Sequence, residues 1–169
     1  SLMKFGAAPI AEALGATAVH SIRQGGFVLK KGTVIGAAEI ASLKAAGISE
    51  VVVARMDSGD VGEDDAAARI AAALGGEAVT ADRAFTGRCN LFAASAGVLV
   101  VEKSAVDAIN RVDEAVTFAT LPAFRPVVAG EMICTVKIIP FAVPETSVSA
   151  ALDIAARAKP LVRVAPYRI

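Results

Sequence analysis

The stretch Gly25 to Arg55, GGFVLKKGTVIGAAEIASLKAAGISEVVVAR, constrains the fold more tightly than any other part of this chain. Phe27-Val28-Leu29 is an apolar run, and Lys30-Lys31-Gly32-Thr33 carries turn chemistry. Ala37 to Ala46 has helical spacing, with Ile40 and Leu43 on one face, and Gly47 stops it. Val51-Val52-Val53 is a β-branched strand. The segment therefore predicts a strand–turn–helix–strand unit. Its polar residues punctuate structure and form no catalytic constellation, so the first inference is that it presents or holds something.

The rest of the chain predicts short elements of both kinds without a strict βα repeat. Pro9 to Leu14 reads as a short helix ended by Gly15, and Ala16 to Ile22 as a strand. Asp57 to Gly62 has loop chemistry, and Glu63-Asp64-Asp65 opens an alanine-rich helix, Ala66 to Leu74, stopped at Gly75-Gly76. Ala78 to Thr80 and Gly97 to Val101 read as strands. Ser104 is expected to cap a helix through Asn110, with Asp107 at the capping-box position and an Asp107–Arg111 pair. Ala115 to Ala119 is a strand. Val127 to Ile139 is one long strand or a hairpin bent at Ala129-Gly130. Thr146 to Ala158 is a helix, and Leu161 to Val164 a strand. The fold class is α+β, with mixed sheets and short helices, in two small lobes or one elongated domain. The acidic loop is the expected joint, giving lobes 1–56 and 57–169.

Composition narrows the function classes. Formal net charge is zero, which argues against a nucleic-acid module. Hydrophobic residues make up 55% but aromatics only 5%, so packing is expected to be close and built from small side chains. No apolar run approaches the ~20 residues of a membrane-spanning helix. Met3 reads as the natural initiator after a two-residue cloning remnant, with no apolar signal segment behind it, so the expected compartment is the cytoplasm. Cys89 and Cys134 are then expected as reduced thiols. The abrupt end at Ile169 reads as a cut in a longer polypeptide.

Five residues are the best site candidates. In Thr86-Gly87-Arg88-Cys89-Asn90, glycine permits close backbone approach and arginine pairs bidentately with phosphate or carboxylate. Thr86 and Asn90 add orienting hydrogen bonds. Lys137, alone in an apolar strand, points either to solvent on a sheet edge or to a ligand or partner. Other features have plainer readings. His20 is the only histidine, so a histidine-rich metal site is excluded. Cys134 reads as a buried apolar thiol; a neighbouring Arg88 is one route to a lowered Cys89 pKa, but a reactive thiol is the disfavoured reading. Asp57, Asp60, Glu63, Asp64 and Asp65 are either a divalent-cation site or a solvated loop with first-turn carboxylates, and the second reading is favoured.

At this point a resemblance becomes specific. Gly32-Thr33-Val34-Ile35, the helix ending Leu43-Lys44-Ala45-Ala46-Gly47-Ile48, and Glu50-Val51-Val52-Val53 resemble a segment of the molybdopterin molybdotransferase family (MoeA and gephyrin). Pro9 to Gly15 is similar to that family's opening helix. The remainder resembles a bacterial offshoot of the family, some of whose members are fused to a molybdenum-cofactor cytidylyltransferase domain. The segments that carry this are Phe85 to Phe92, Asn110 to Ala115, Thr120-Leu121-Pro122 and Val136 to Val143. The resemblance implies molybdopterin or its nucleotide derivative as ligand, and Mg2+ as a further candidate in the full-length protein. It also implies a homo-oligomer and a pterin-binding domain beginning at about Tyr167. No segment here matches the family's T-G-D type metal-handling loop, so no catalytic residue is carried over. Thr86, Gly87, Arg88, Asn90 and Lys137 stand on residue chemistry alone. The expected role is non-catalytic: a dimer interface or one wall of a cofactor cleft. The alternatives are a self-association module, an enzyme using Cys89 or the acidic cluster, and a sugar- or carboxylate-binding module related to antifreeze-like domains; for the full-length protein the resemblance leaves molybdotransferase or cytidylyltransferase activity open.

Overall fold

Short β-branched runs separated by glycines fold here into small antiparallel ladders, each too narrow to stand without a helix or a second sheet against it. A computed structural model describes residues 4–167. The readings of Ser1 to Met3 and of the Arg168-Ile169 end lie outside the described residues. The chain is α+β and divides into two compact units, Ser1–Ser58 and Gly59–Ile169.

In the first unit, β1 (Lys4–Pro9) runs antiparallel to β5 (Glu50–Arg55), from Phe5 opposite Ala54 to Pro9 opposite Glu50. β2 (Thr17–Ala18) pairs with the other side of β5. β3 (Ile22–Gln24) and β4 (Phe27–Leu29) form a hairpin through Gly25-Gly26. Helix α1 (Ala37–Ala45) ends in a Schellman motif: Gly47 lies at φ +76°, Ile48 N–H reaches Leu43 O at 3.0 Å, and Gly47 N–H reaches Lys44 O at 3.0 Å. Ile10, Ala13, Leu29, Ile35, Leu43, Val51 and Val53 make the core. The helix expected over Pro9–Leu14 is instead the end of β1 followed by a single 3-10 turn, Ile10–Glu12. Arg55 holds that turn, donating to the carbonyls of Glu12 and Leu14. The strand expected over Ala16–Ile22 splits in two, because Ala18 pairs with β5 whereas Ile22 pairs with β4.

In the second unit, β6 (Asp60–Gly62) leads straight into α2 (Glu63–Leu74). There follow β7 (Val79–Ala81), β8 (Arg88–Ala93), β9 (Gly97–Val101) and α3 (Lys103–Asn110). The chain continues through β10 (Val116–Thr120), β11 (Pro126–Val127), β12 (Met132–Ile138), β13 (Ala142–Pro144), α4 (Glu145–Arg157) and β14 (Val162–Ala165). The principal sheet has the order β10-β12-β8-β7. The others are β11-β9-β14 and the ribbon β13-β6, and every ladder is antiparallel. Helix α2 lies on β8 and β12 and packs against α4. Ala66, Ala67, Ala71, Ala151 and Ala155 are all buried, so α2 and α4 meet largely through small side chains, with Ile70, Leu74 and Val148 as the larger groups. Leu91, Val136, Ile138 and Phe118 supply the sheet's contribution.

Several expectations are corrected here. Asp60–Gly62 is a strand, because Val61 pairs with Val143 far along the chain. Ser104 caps nothing: α3 begins at Lys103, and Asp107 pairs with Lys103 at 2.8 Å. Val127–Ile139 is neither one strand nor a hairpin. Val127 pairs with Gly97 in one sheet, while Met132–Ile138 lies in another. Lys137 is on no edge, since β12 has β10 on one side and β8 on the other. At the true edge, β10, the Asn110 side chain does the work of a strand. Its Nδ2 donates to Phe118 O at 2.8 Å, and its Oδ1 accepts from Phe118 N–H at 2.8 Å.

Candidate functional site

β8 alternates along its length, and β12 alternates from Cys134 onward, after a register shift between Met132 and Cys134. Cys89, Leu91 and Ala93 are buried, and so are Val136 and Ile138, while Arg88 and Lys137 are exposed. One face of the principal sheet is therefore core and the other is open, and register decides which open residues meet.

β8 starts from a two-residue hairpin turn. Phe85 and Arg88 exchange both backbone hydrogen bonds, at 2.9 and 3.1 Å. Between them Thr86 has φ +49° and Gly87 φ +75°. Two positive φ values in succession are the type I′ arrangement, which matches the twist of the flanking strands. Gly87 is buried and its backbone is fully engaged. Its N–H donates to Asp64 Oδ1 at 2.6 Å, and its carbonyl accepts from Ile138 N–H at 2.7 Å. A Cβ there would lie 2.7 Å from Glu63 Oε2 and 2.7 Å from Ile138 O. Glycine at this position thus admits the first turn of α2 to the sheet. Thr86 is exposed at the tip of the turn.

Arg88 and Lys137 stand directly opposite each other on β8 and β12. Phe85 is opposite Arg88 across the turn, and Thr117 is opposite Lys137 on β10. Phe85, Arg88, Lys137 and Thr117 therefore form one row across the open face. Neither cation has a hydrogen-bond or ion-pair partner among the described residues. Like charges directly opposite each other on neighbouring strands are destabilising. Phe85 is 75% exposed.

The next row differs. Thr135 hydroxyl donates to Asn90 Oδ1 at 2.7 Å, and Asn90 Nδ2 donates to Asp82 Oδ2 at 3.0 Å. Asn90 N–H donates to Asp82 Oδ1 at 2.8 Å. Asn90 is therefore committed to its neighbours. Of the five candidates, the structure brings Arg88 and Lys137 together as unpaired charges, sets Asn90 beside them in a closed network, and uses Thr86 and Gly87 to build the turn. Phe85 and Thr117 were missed. The signal for Phe85 was present: a residue preceding a two-residue turn faces the same side as the one following it.

The disfavoured reading, in which Arg88 lowers the Cys89 pKa, does not hold in this geometry. Adjacent residues on a strand face opposite ways, so Arg88 goes to solvent and Cys89 to the core. Burial raises the Cys89 pKa above its ordinary value, with the Asp82 charge and the thiol's hydrogen bond to Asp82 O acting in the same direction. Cys134, buried beside it, is pushed up to about 12, chiefly by desolvation and secondarily by Cys89. Both thiols are free. Among the described residues, no group of three or more His, Cys, Asp or Glu side chains is placed to hold a metal ion. Asp64, from the acidic stretch, serves the turn at Gly87. His20 is exposed in the first unit.

Against known proteins, residues 7–55 match a family described as a domain of unknown function (DUF8806). No curated protein and no solved structure matches. Among the described residues no helix is long and apolar enough to cross a membrane.

Proposed function

We propose that this chain is the N-terminal, non-catalytic portion of a cytoplasmic, homo-oligomeric molybdenum-cofactor protein, and that it forms one wall of the cleft that holds molybdopterin or its nucleotide derivative. The observation that carries the reading is the unpaired Arg88–Lys137 couple on an open sheet face. A fold gains nothing from like charges in register, whereas an anionic ligand relieves their repulsion and is gripped by both. The likeness of Gly32–Val53 to the molybdotransferase segment supports the pathway. The test is isothermal titration of molybdopterin into the 169-residue chain and into the full-length protein. Saturable binding to at least the longer protein is expected. Binding by neither removes the cofactor role.

A further inference from the structure

We infer that the row Phe85–Arg88–Lys137–Thr117 is a seat for one phosphate monoester carried on a planar heterocycle. The inference deepens the cofactor reading and rests on it for the pathway, but its chemistry is carried by the row itself. Four side chains lie side by side because three register pairs coincide: Phe85 with Arg88, Arg88 with Lys137, and Lys137 with Thr117. At the ~4.8 Å spacing of neighbouring strands, the row spans ~14 Å. The midpoint of the two cations lies ~7 Å from the strand carrying Phe85. A phosphate between Arg88 and Lys137 therefore leaves an attached ring within reach of the exposed phenyl face.

The charge count selects the group. Two adjacent cations match a phosphate monoester dianion. The guanidinium offers a fork to two of its oxygens, and the ammonium offers a point charge to a third. The flanking row is mostly committed: Thr135 donates to Asn90 Oδ1 and Asn90 Nδ2 donates to Asp82 Oδ2, which leaves one Asn90 Nδ2–H for a ligand. The nearby acids are themselves engaged: Asp82 by Asn90, and Asp64 by the Gly87 amide. Ile139, 57% exposed and two residues beyond Lys137, gives the seat an apolar rim. Thr117 donates to Lys137 O at 2.9 Å, so its hydroxyl proton is spent on the strand and it only bounds the seat on that side. A polyanion is disfavoured, because the chain has zero formal net charge.

The seat is tested by amide NMR titration of the 169-residue chain with cytidine monophosphate, with cytidine, and with inorganic phosphate. The monophosphate is expected to shift the amides of residues 85–88, 117 and 137, and to bind at least tenfold more tightly than either part alone. Arg88→Ala and Lys137→Gln are each expected to weaken it about tenfold or more, and Phe85→Ala to remove the advantage over inorganic phosphate. Lys137→Gln also ends the cation repulsion, so its melting temperature is expected to hold or rise while binding falls, which misfolding cannot produce. Shifts centred elsewhere, or binding unaffected by both charge variants, overturn the seat. Monophosphate binding without molybdopterin binding leaves the seat and removes the pathway. Molybdopterin binding that survives both variants does the reverse.

Discussion

Thr86 is the least comfortable residue in the second unit. A β-branched side chain at φ +49° crowds its own backbone, and type I′ turns ordinarily place asparagine, aspartate or glycine there. Thr86→Asn gives the turn the Asn-Gly pair it favours. It is expected to raise unfolding free energy by about 0.5–1 kcal/mol in urea denaturation. A loss of stability would show that the threonine is held by something other than the turn. The residue types of this stretch were legible from sequence, and arginine, threonine and asparagine together rightly drew attention. Their division of labour was not. It depends on which amide Asp64 accepts from and on which partner Asn90 finds, and both contacts come from other elements.

At the scale of elements, α1 and α2 were the most legible, because each carries its own punctuation, whereas α3 has no side-chain cap and its start was misplaced at Ser104. Gly47 stops α1, and Glu63-Asp64-Asp65 fill the first turn of α2. Strands of two or three residues have no such internal signal. Asp60–Gly62 exists as a strand because Val143 is opposite Val61, and the turn-like Asp-Ser-Gly-Asp string concealed it. Between helices, Arg69 on α2 grips Glu145 at the start of α4 through two hydrogen bonds of 2.8 Å each. That grip lowers the Glu145 pKa from its ordinary value, and the Arg69 hydrogen bond is the largest cause. A depressed carboxylate pKa stabilises the fold above its unfolded value of about 4.3, and the contribution disappears as pH falls through the folded value. Glu145→Gln is therefore expected to be less stable than the parent at pH 7, with the gap in denaturation midpoint closing below about pH 4. A gap that widens on acidification would mean the pair acts in some other way.

For the molecule as a whole, the two units have separate cores. The first rests on few large side chains, chiefly Leu29, Ile35 and Leu43. The second has its own alanine-lined helix pair and a four-stranded sheet. Residues 59–169 produced alone are expected to unfold in one cooperative thermal transition, whereas residues 1–58 are below the size at which such a core is robust. A broad, non-cooperative melt of 59–169 would show that its core is incomplete. The α+β class followed from mixed periodicity and irregular element order. The open row did not, because a strand's sequence shows which residues share its face and is silent on the register that lines up Phe85, Arg88, Lys137 and Thr117.

The rim of the principal sheet has a consequence for how the protein meets others. A bare outer strand is a template on which a foreign strand extends the sheet. Along β10 that template is blocked at its start and centre: Asn110 answers both backbone groups of Phe118, and Asp113 O receives Val116 N–H at 3.0 Å. An incoming strand would have to evict a native side chain to pair there. The sheet is closed sideways at β10 and available frontally, so recognition there goes through side chains, which can discriminate among ligands, rather than through backbone pairing, which cannot.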